Sequence, residues 1–212
     1  MLMLNILWAD ADLLQPTADM TISSYRKKKL ALIKHERAMR CSLCVELLLN
    51  EAVRREDVHY PLPLKIETDT NGKPFLADHE YEFSLSHFAH FAACALSDAP
   101  VGLDIQTLCK CDERLVRRFF TKGEQKSVLT SNDPDGAFTR LWCRKESYLK
   151  AIGTGLRLPL DSFDVSDRQA TLFYQGLAYG FREYETDDLF FCVCMQLDKL
   201  PEGIAPQRLE LP

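Results

Sequence analysis

Two helical patterns enclose a run of short strands, and that order narrows the fold more than any other feature of the chain. Ala38, Cys41, Val45 and Leu48 recur at spacings of three and four, which places them on one face of a helix over residues 38–49. Residues 137–152 form the strongest later helix, ended by Gly153 and Gly155. Between them, residues 83–86, 91–96 and 101–105 read as short strands, with His87 to His90 as the loop joining the first two. Helices on either side of a sheet fit an α/β fold.

Around this frame, residues 3–9 read as a strand and residues 16–24 as a loop leading into a helix that carries Arg26, Lys27, Lys28 and Lys29. Asp69-Thr70-Asn71-Gly72 is a turn signal that puts Lys73 and Pro74 just past a tight reversal. Residues 113–120 and 123–129 read as helices and residues 131–136 as a loop. Residues 163–165, 170–174, 179–185 and 189–196 carry strand-like content, and the tail 201–212 reads as irregular.

Composition excludes several classes. With 46% hydrophobic and 27% charged residues, the chain builds a core rather than staying disordered. A net charge of −5 argues against nucleic acid or an anionic membrane surface as the main partner. The apolar start, Met1 to Trp8, has no cationic leader or small-residue cleavage site, and the Leu-rich stretch at 43–49 is interrupted by Glu46. A cytoplasmic location is expected. The 8 Cys are scattered and read as free thiols: Cys41 and Cys44 form C-x-x-C but lie on or close to the apolar face of their helix, and Cys109/Cys111 lacks the spacing of a zinc knuckle.

Three constellations could carry chemistry. Asp104 and Gln106 are two apart on a strand, so both project from one face and offer oxygens to a hard cation such as Mg²⁺. Trp142, Glu146 and Lys150 recur every four residues on one helical stripe, with Lys145 one residue round the cylinder; an ordinary surface pair of Glu146 with Lys150 is the alternative. Residues 26–40 hold seven basic side chains against the single acid Glu36, which suggests an anionic ligand or a solvated helix face. Lys73 with Ser86 and His87 is a second candidate anion cluster.

Together the segments Phe83-Ser84-Leu85-Ser86-His87, Val101-Gly102-Leu103-Asp104-Ile105-Gln106, Phe119-Phe120-Thr121-Lys122-Gly123-Glu124 and Trp142-Cys143-Arg144-Lys145-Glu146-Ser147-Tyr148-Leu149-Lys150 resemble the surfactin-type 4′-phosphopantetheinyl transferases. The resemblance extends through Gly153-Thr154-Gly155-Leu156 and Leu158 to Phe163, and back to Gly72-Lys73-Pro74. It implies an α/β fold of two similar lobes related by a pseudo-twofold, residues 1–99 and 100–212, with the active site in the cleft between them and a monomer as the working unit.

The implied reaction moves the 4′-phosphopantetheine arm of coenzyme A to a serine of an apo acyl or peptidyl carrier protein. Asp104 and Glu146, with Gln106, would hold Mg²⁺ on the pyrophosphate, and Lys150 would face the same group. Glu146 would be the base for the serine hydroxyl, with Glu124 as the alternative. Lys28, Lys73, Ser86 and His87 would hold the nucleotide end, Arg40 and Lys145 would add coenzyme A contacts, and the strip after Gly155 would receive the carrier protein. The family commonly has Glu or Asp where this chain has Gln106. A Mg²⁺-dependent phosphohydrolase on the same acids, and a non-catalytic binder of carrier domains or coenzyme A, are the competing readings.

Overall fold

The hydrophobic stripe that begins near Cys41 continues past Leu48 and Leu49 to Ala52 and Val53, all buried. The helix it builds therefore runs over Glu36–Glu56 rather than stopping at Leu49. Asn50 and Glu51 interrupt the apolar run in sequence, but the face is set by every third and fourth residue, and Ala52 and Val53 resume it.

The computed structural model describes residues 3–186 and 188–211; the ends of the N-terminal stretch and of the tail named above, residues 1, 2 and 212, lie outside the described residues, as does residue 187. The chain divides into two compact units, Met1–Pro100 with Pro201–Pro212, and Val101–Leu200.

In the first unit the order is β1 (Leu4–Asp10), α1 (Ser24–Leu30), α2 (Glu36–Glu56), β2 (Ile66–Thr68), β3 (Pro74–Leu76), β4 (Glu82–Phe88) and β5 (Phe91–Ser97). β5 lies between β1 and β4, antiparallel to both, and α2 packs over this sheet. β2 and β3 make a separate hairpin whose turn has Gly72 at φ +88°, the left-handed conformation glycine adopts without strain. The β4–β5 turn is tighter than expected: Phe88 pairs with Phe91 across Ala89 and His90 alone, with Ala89 at φ +53°. His87 is thus a strand residue, not a loop residue.

The second unit contains β6 (Val101–Gln106), α3 (Glu113–Phe119), α4 (Lys122–Leu129), α5 (Pro134–Ile152), β7 (Leu172–Tyr174), β8 (Leu177–Glu185) and β9 (Phe190–Gln196). Its sheet has the order β6-β9-β8-β7, antiparallel throughout, with α5 packed along β6 and β9. α5 begins three residues earlier than the pattern of apolar residues indicated. Asp133 caps it by accepting from the Gly136 amide at 3.0 Å, and Pro134 occupies the first turn, where its missing N–H costs nothing. Asp133→Ala removes that cap and is expected to cost about 1 kcal/mol, read as a lower denaturant midpoint at unchanged slope.

After the second unit the chain returns to the first. β10 (Gln207–Arg208) pairs parallel with the outer edge of β1, and the Leu209 amide donates to the Trp8 carbonyl at 2.8 Å. Composition reads the tail 201–212 as irregular and the resemblance puts it in the C-terminal lobe; it instead carries a short strand and belongs to the first unit, because the free edge of β1 accepts it and Leu209 and Leu211 pack on that core. No helix among the described residues is long and apolar enough to cross a membrane.

Candidate functional site

Gly102 sets the spacing on which the site depends. A Cβ built there would lie 1.9 Å from the Ser147 carbonyl oxygen and 2.4 Å from the Ala151 nitrogen, so only glycine lets β6 approach α5 this closely. Two residues on, Asp104 faces the stripe of α5 that carries Glu146 and Lys150. Lys150 Nζ donates to Asp104 Oδ1 at 2.7 Å and to the Leu103 carbonyl at 2.9 Å. The Cys143 thiol lies 3.2 Å from the Asp104 carbonyl oxygen and adds a second tie from the helix to the strand.

Asp104 and Gln106 share a face as their spacing predicts, and both are buried. Gln106 Nε2 donates to Asp104 Oδ2 at 2.9 Å. Glu146 is half-buried; desolvation and then the charge of Asp104 push its pKa above the usual carboxylate value, and Lys150 opposes them. Asp104, Gln106, Glu146 and Lys150 are therefore gathered at one place. Among the described residues no three His, Cys, Asp or Glu side chains cluster as metal ligands do. The residue two positions beyond Asp104 on this face is an amide, Gln106, whose oxygen is neutral.

Two of the expected site residues do something else. Glu124 is fully buried: Oε2 accepts from the Thr121 amide at 2.8 Å in a capping box at the start of α4, and Oε1 accepts from the Val165 amide at 2.8 Å. Lys145 Nζ lies 2.8 Å from Glu124 Oε2, with both side chains 0% exposed. Both groups are fully buried and spend their hydrogen bonds on internal partners, which sets them apart from the expected roles of base and coenzyme A ligand. Arg144, which the sequence did not single out, is also internal: it pairs with Glu183 and donates to the Val165 and Asp167 carbonyls at 2.6 and 2.7 Å. Trp142, on the Glu146 stripe, packs against Phe119, Phe120 and Phe138.

The basic segment of the first unit divides similarly. Arg26 is buried and pairs with the buried Glu46 at 2.9 Å, while also donating to Ser42 Oγ at 3.0 Å. Lys28 is exposed on α1. Arg40 donates to the Asp12 carbonyl at 3.1 Å and to Glu36 at 2.7 Å, and lines an open cavity of about 420 Å³ with Asp12 to Pro16. Ser86 is buried and His87 exposed, on opposite faces of β4. Lys73 is half-buried beyond the β2–β3 turn, where desolvation lowers its pKa against the pull of Glu82 and Asp69. All eight cysteines are free, and burial pushes the thiols of Cys41, Cys44, Cys109 and Cys111 up rather than activating them.

The sequence profile of the 4′-phosphopantetheinyl transferase superfamily matches residues 100–198, the stretch that holds β6, α5 and all four gathered side chains. A 4′-phosphopantetheinyl transferase of Bacillus subtilis is 30% identical over 199 residues, covering 89% of this chain and 88% of its own. The 4′-phosphopantetheinyl transferase gsp of Aneurinibacillus migulanus is 33% identical over 66% of this chain, and psf-1 of Bacillus pumilus 35% identical over 59%. These matches span 61% of the gsp chain and 58% of the psf-1 chain. With a match along nearly the whole of one relative, and the profile falling on the residues that build the site, the chain belongs to the 4′-phosphopantetheinyl transferase superfamily.

Proposed function

We propose that this chain transfers the 4′-phosphopantetheine arm of coenzyme A to a serine hydroxyl of an apo carrier protein. The observation that carries the reading is the meeting of Asp104 and Glu146, two carboxylates from different elements, with the Lys150 ammonium on Asp104. The serine oxygen bonds to the phosphorus that bears the arm, the pyrophosphate P–O bond breaks, and adenosine 3′,5′-bisphosphate leaves with the electron pair. Glu146 takes the serine proton; a carboxylate held above its ordinary pKa is a better base near neutral pH. Lys150 balances charge on the leaving phosphate from its seat on Asp104. In the first unit, Lys73 and the exposed His87 are the groups offered to the nucleotide end, with Lys28 and Arg40 as outer phosphate contacts, while Ser86 lies buried on the other face of β4.

Asp104, Glu146 and the Gln106 oxygen form an all-oxygen donor set that fits a hard cation, and Mg²⁺ bound there would neutralise charge on the pyrophosphate. Gln106→Glu adds a third carboxylate and removes the donor to Asp104 Oδ2. The expected result is a half-maximal Mg²⁺ concentration several-fold lower, together with a lower melting temperature in the chelated protein, because three carboxylates then repel one another. An unchanged Mg²⁺ dependence would remove Gln106 from the metal face.

The reading is tested by chromatography of the nucleotide products from coenzyme A and Mg²⁺, with and without apo carrier protein. Adenosine 3′,5′-bisphosphate formed only with the carrier supports transfer. The same product without a carrier would make the chain a phosphohydrolase.

A further inference from the structure

We propose that Lys145 is a positioning residue whose buried ammonium holds the loop 155–163 in the shape that receives the carrier protein. The inference rests on the transferase reading above. An ammonium has three N–H donors, and here they are matched by three acceptors: Glu124 Oε2 at 2.8 Å, the Leu160 carbonyl at 2.6 Å and the Phe163 carbonyl at 2.7 Å. The Phe163 ring covers the same nitrogen at 4.4 Å to its centroid. Nothing is left over for a phosphate.

The two carbonyls flank a single 3₁₀ turn, Leu160–Ser162, so Lys145 grips the backbone at both ends of that turn. Beyond it, the Val165 amide donates to Glu124 and its carbonyl accepts from Arg144. Among the described residues the segment has no strand partner; side chains of α4 and α5 replace the hydrogen bonds a sheet would give it. Just upstream, Gly155–Arg157 makes another 3₁₀ turn that presents Leu156 at 77% exposure beside exposed Arg157. A large apolar side chain held out on an anchored loop suits contact with a protein partner rather than with a nucleotide. The partner of the proposed reaction is the carrier protein.

The test uses three variants of the full chain, Lys145→Met, Glu124→Gln and Leu156→Ser, with carrier and coenzyme A titrated separately. Glu124→Gln keeps an acceptor for the α4 cap while weakening the hold on Lys145, and so serves if Lys145→Met does not fold. Leu156→Ser changes an exposed residue alone. The expected result is a KM for the carrier raised about tenfold in each, with kcat and the Kd for coenzyme A little changed. Hydrogen exchange over 158–165 should quicken in Glu124→Gln and stay as it was in Leu156→Ser. A fall in coenzyme A affinity that matches the carrier effect would return Lys145 to the nucleotide site and overturn the proposal. A carrier KM unchanged in Glu124→Gln or Leu156→Ser, beside a wild type that transfers, would overturn the positioning role alone. A wild type that transfers nothing would overturn the transferase reading and this proposal with it.

Discussion

Replacing Glu146 by alanine should lower the rate of transfer by about a thousandfold and leave the protein folded. The magnitude follows from removing a general base, typically about 10²–10⁴ in rate. The survival of the fold follows from the setting of the side chain. Glu146 is half-buried, and its strongest resolved influences are desolvation and the like charge of Asp104, both of which disfavour its ionised form. Deleting it relieves both effects and gives up only the attraction of Lys150, whose ammonium keeps its 2.7 Å contact with Asp104. Single-turnover kinetics with saturating coenzyme A and carrier, beside circular dichroism of the same preparation, separates the two effects. A variant that retains a tenth or more of the wild-type rate, about 1.4 kcal/mol in barrier, would show that the proton leaves by another route.

Gly102→Ala tests the framework rather than the chemistry. A methyl group here meets backbone, the Ser147 carbonyl oxygen at 1.9 Å, and no side chain can swing aside to admit it. β6 and α5 must separate, which loosens the Lys150–Asp104 contact at 2.7 Å and exposes a seam of buried residues that includes Leu103 and Cys143. Overpacking of this kind costs about 3 kcal/mol or more. Urea unfolding should show a clearly lower midpoint, and any folded protein should transfer poorly because Asp104 no longer faces Glu146. A midpoint equal to wild type would mean that the close approach of strand and helix is not needed.

That Asp104, Gln106, Glu146 and Lys150 share their faces was readable because it depends on local periodicity. A spacing of two puts Asp104 and Gln106 on one face of a strand, and a spacing of four stacks Trp142, Glu146 and Lys150 on a helix. The start of α5 was equally local: Asp133-Pro134 is a cap followed by a first-turn proline, a signal the apolar pattern overshadowed. What the sequence hid is whatever depends on contacts far along the chain. Lys145 and Glu124 are read as site residues until the fold pairs them with each other in the interior, and the buried pair of Arg26 with Glu46 is hidden in the same way. Phe163 to Val165 reads as a strand by composition, yet Lys145, Glu124 and Arg144 satisfy its backbone, so it needs no sheet. The turn at Ala89 and His90 lacks the glycine or asparagine that usually announces a two-residue hairpin, which concealed the strand character of His87.

Intact-mass measurement of an apo carrier protein after incubation with this chain, coenzyme A and Mg²⁺ addresses the central claim most directly. The expected result is a single gain of about 340 Da, the covalent arm on one serine, abolished by chelation and by Glu146→Ala. An unmodified carrier across acyl and peptidyl classes, with coenzyme A bound to the protein, would contradict the claim and leave a chain that binds the cofactor without transferring it.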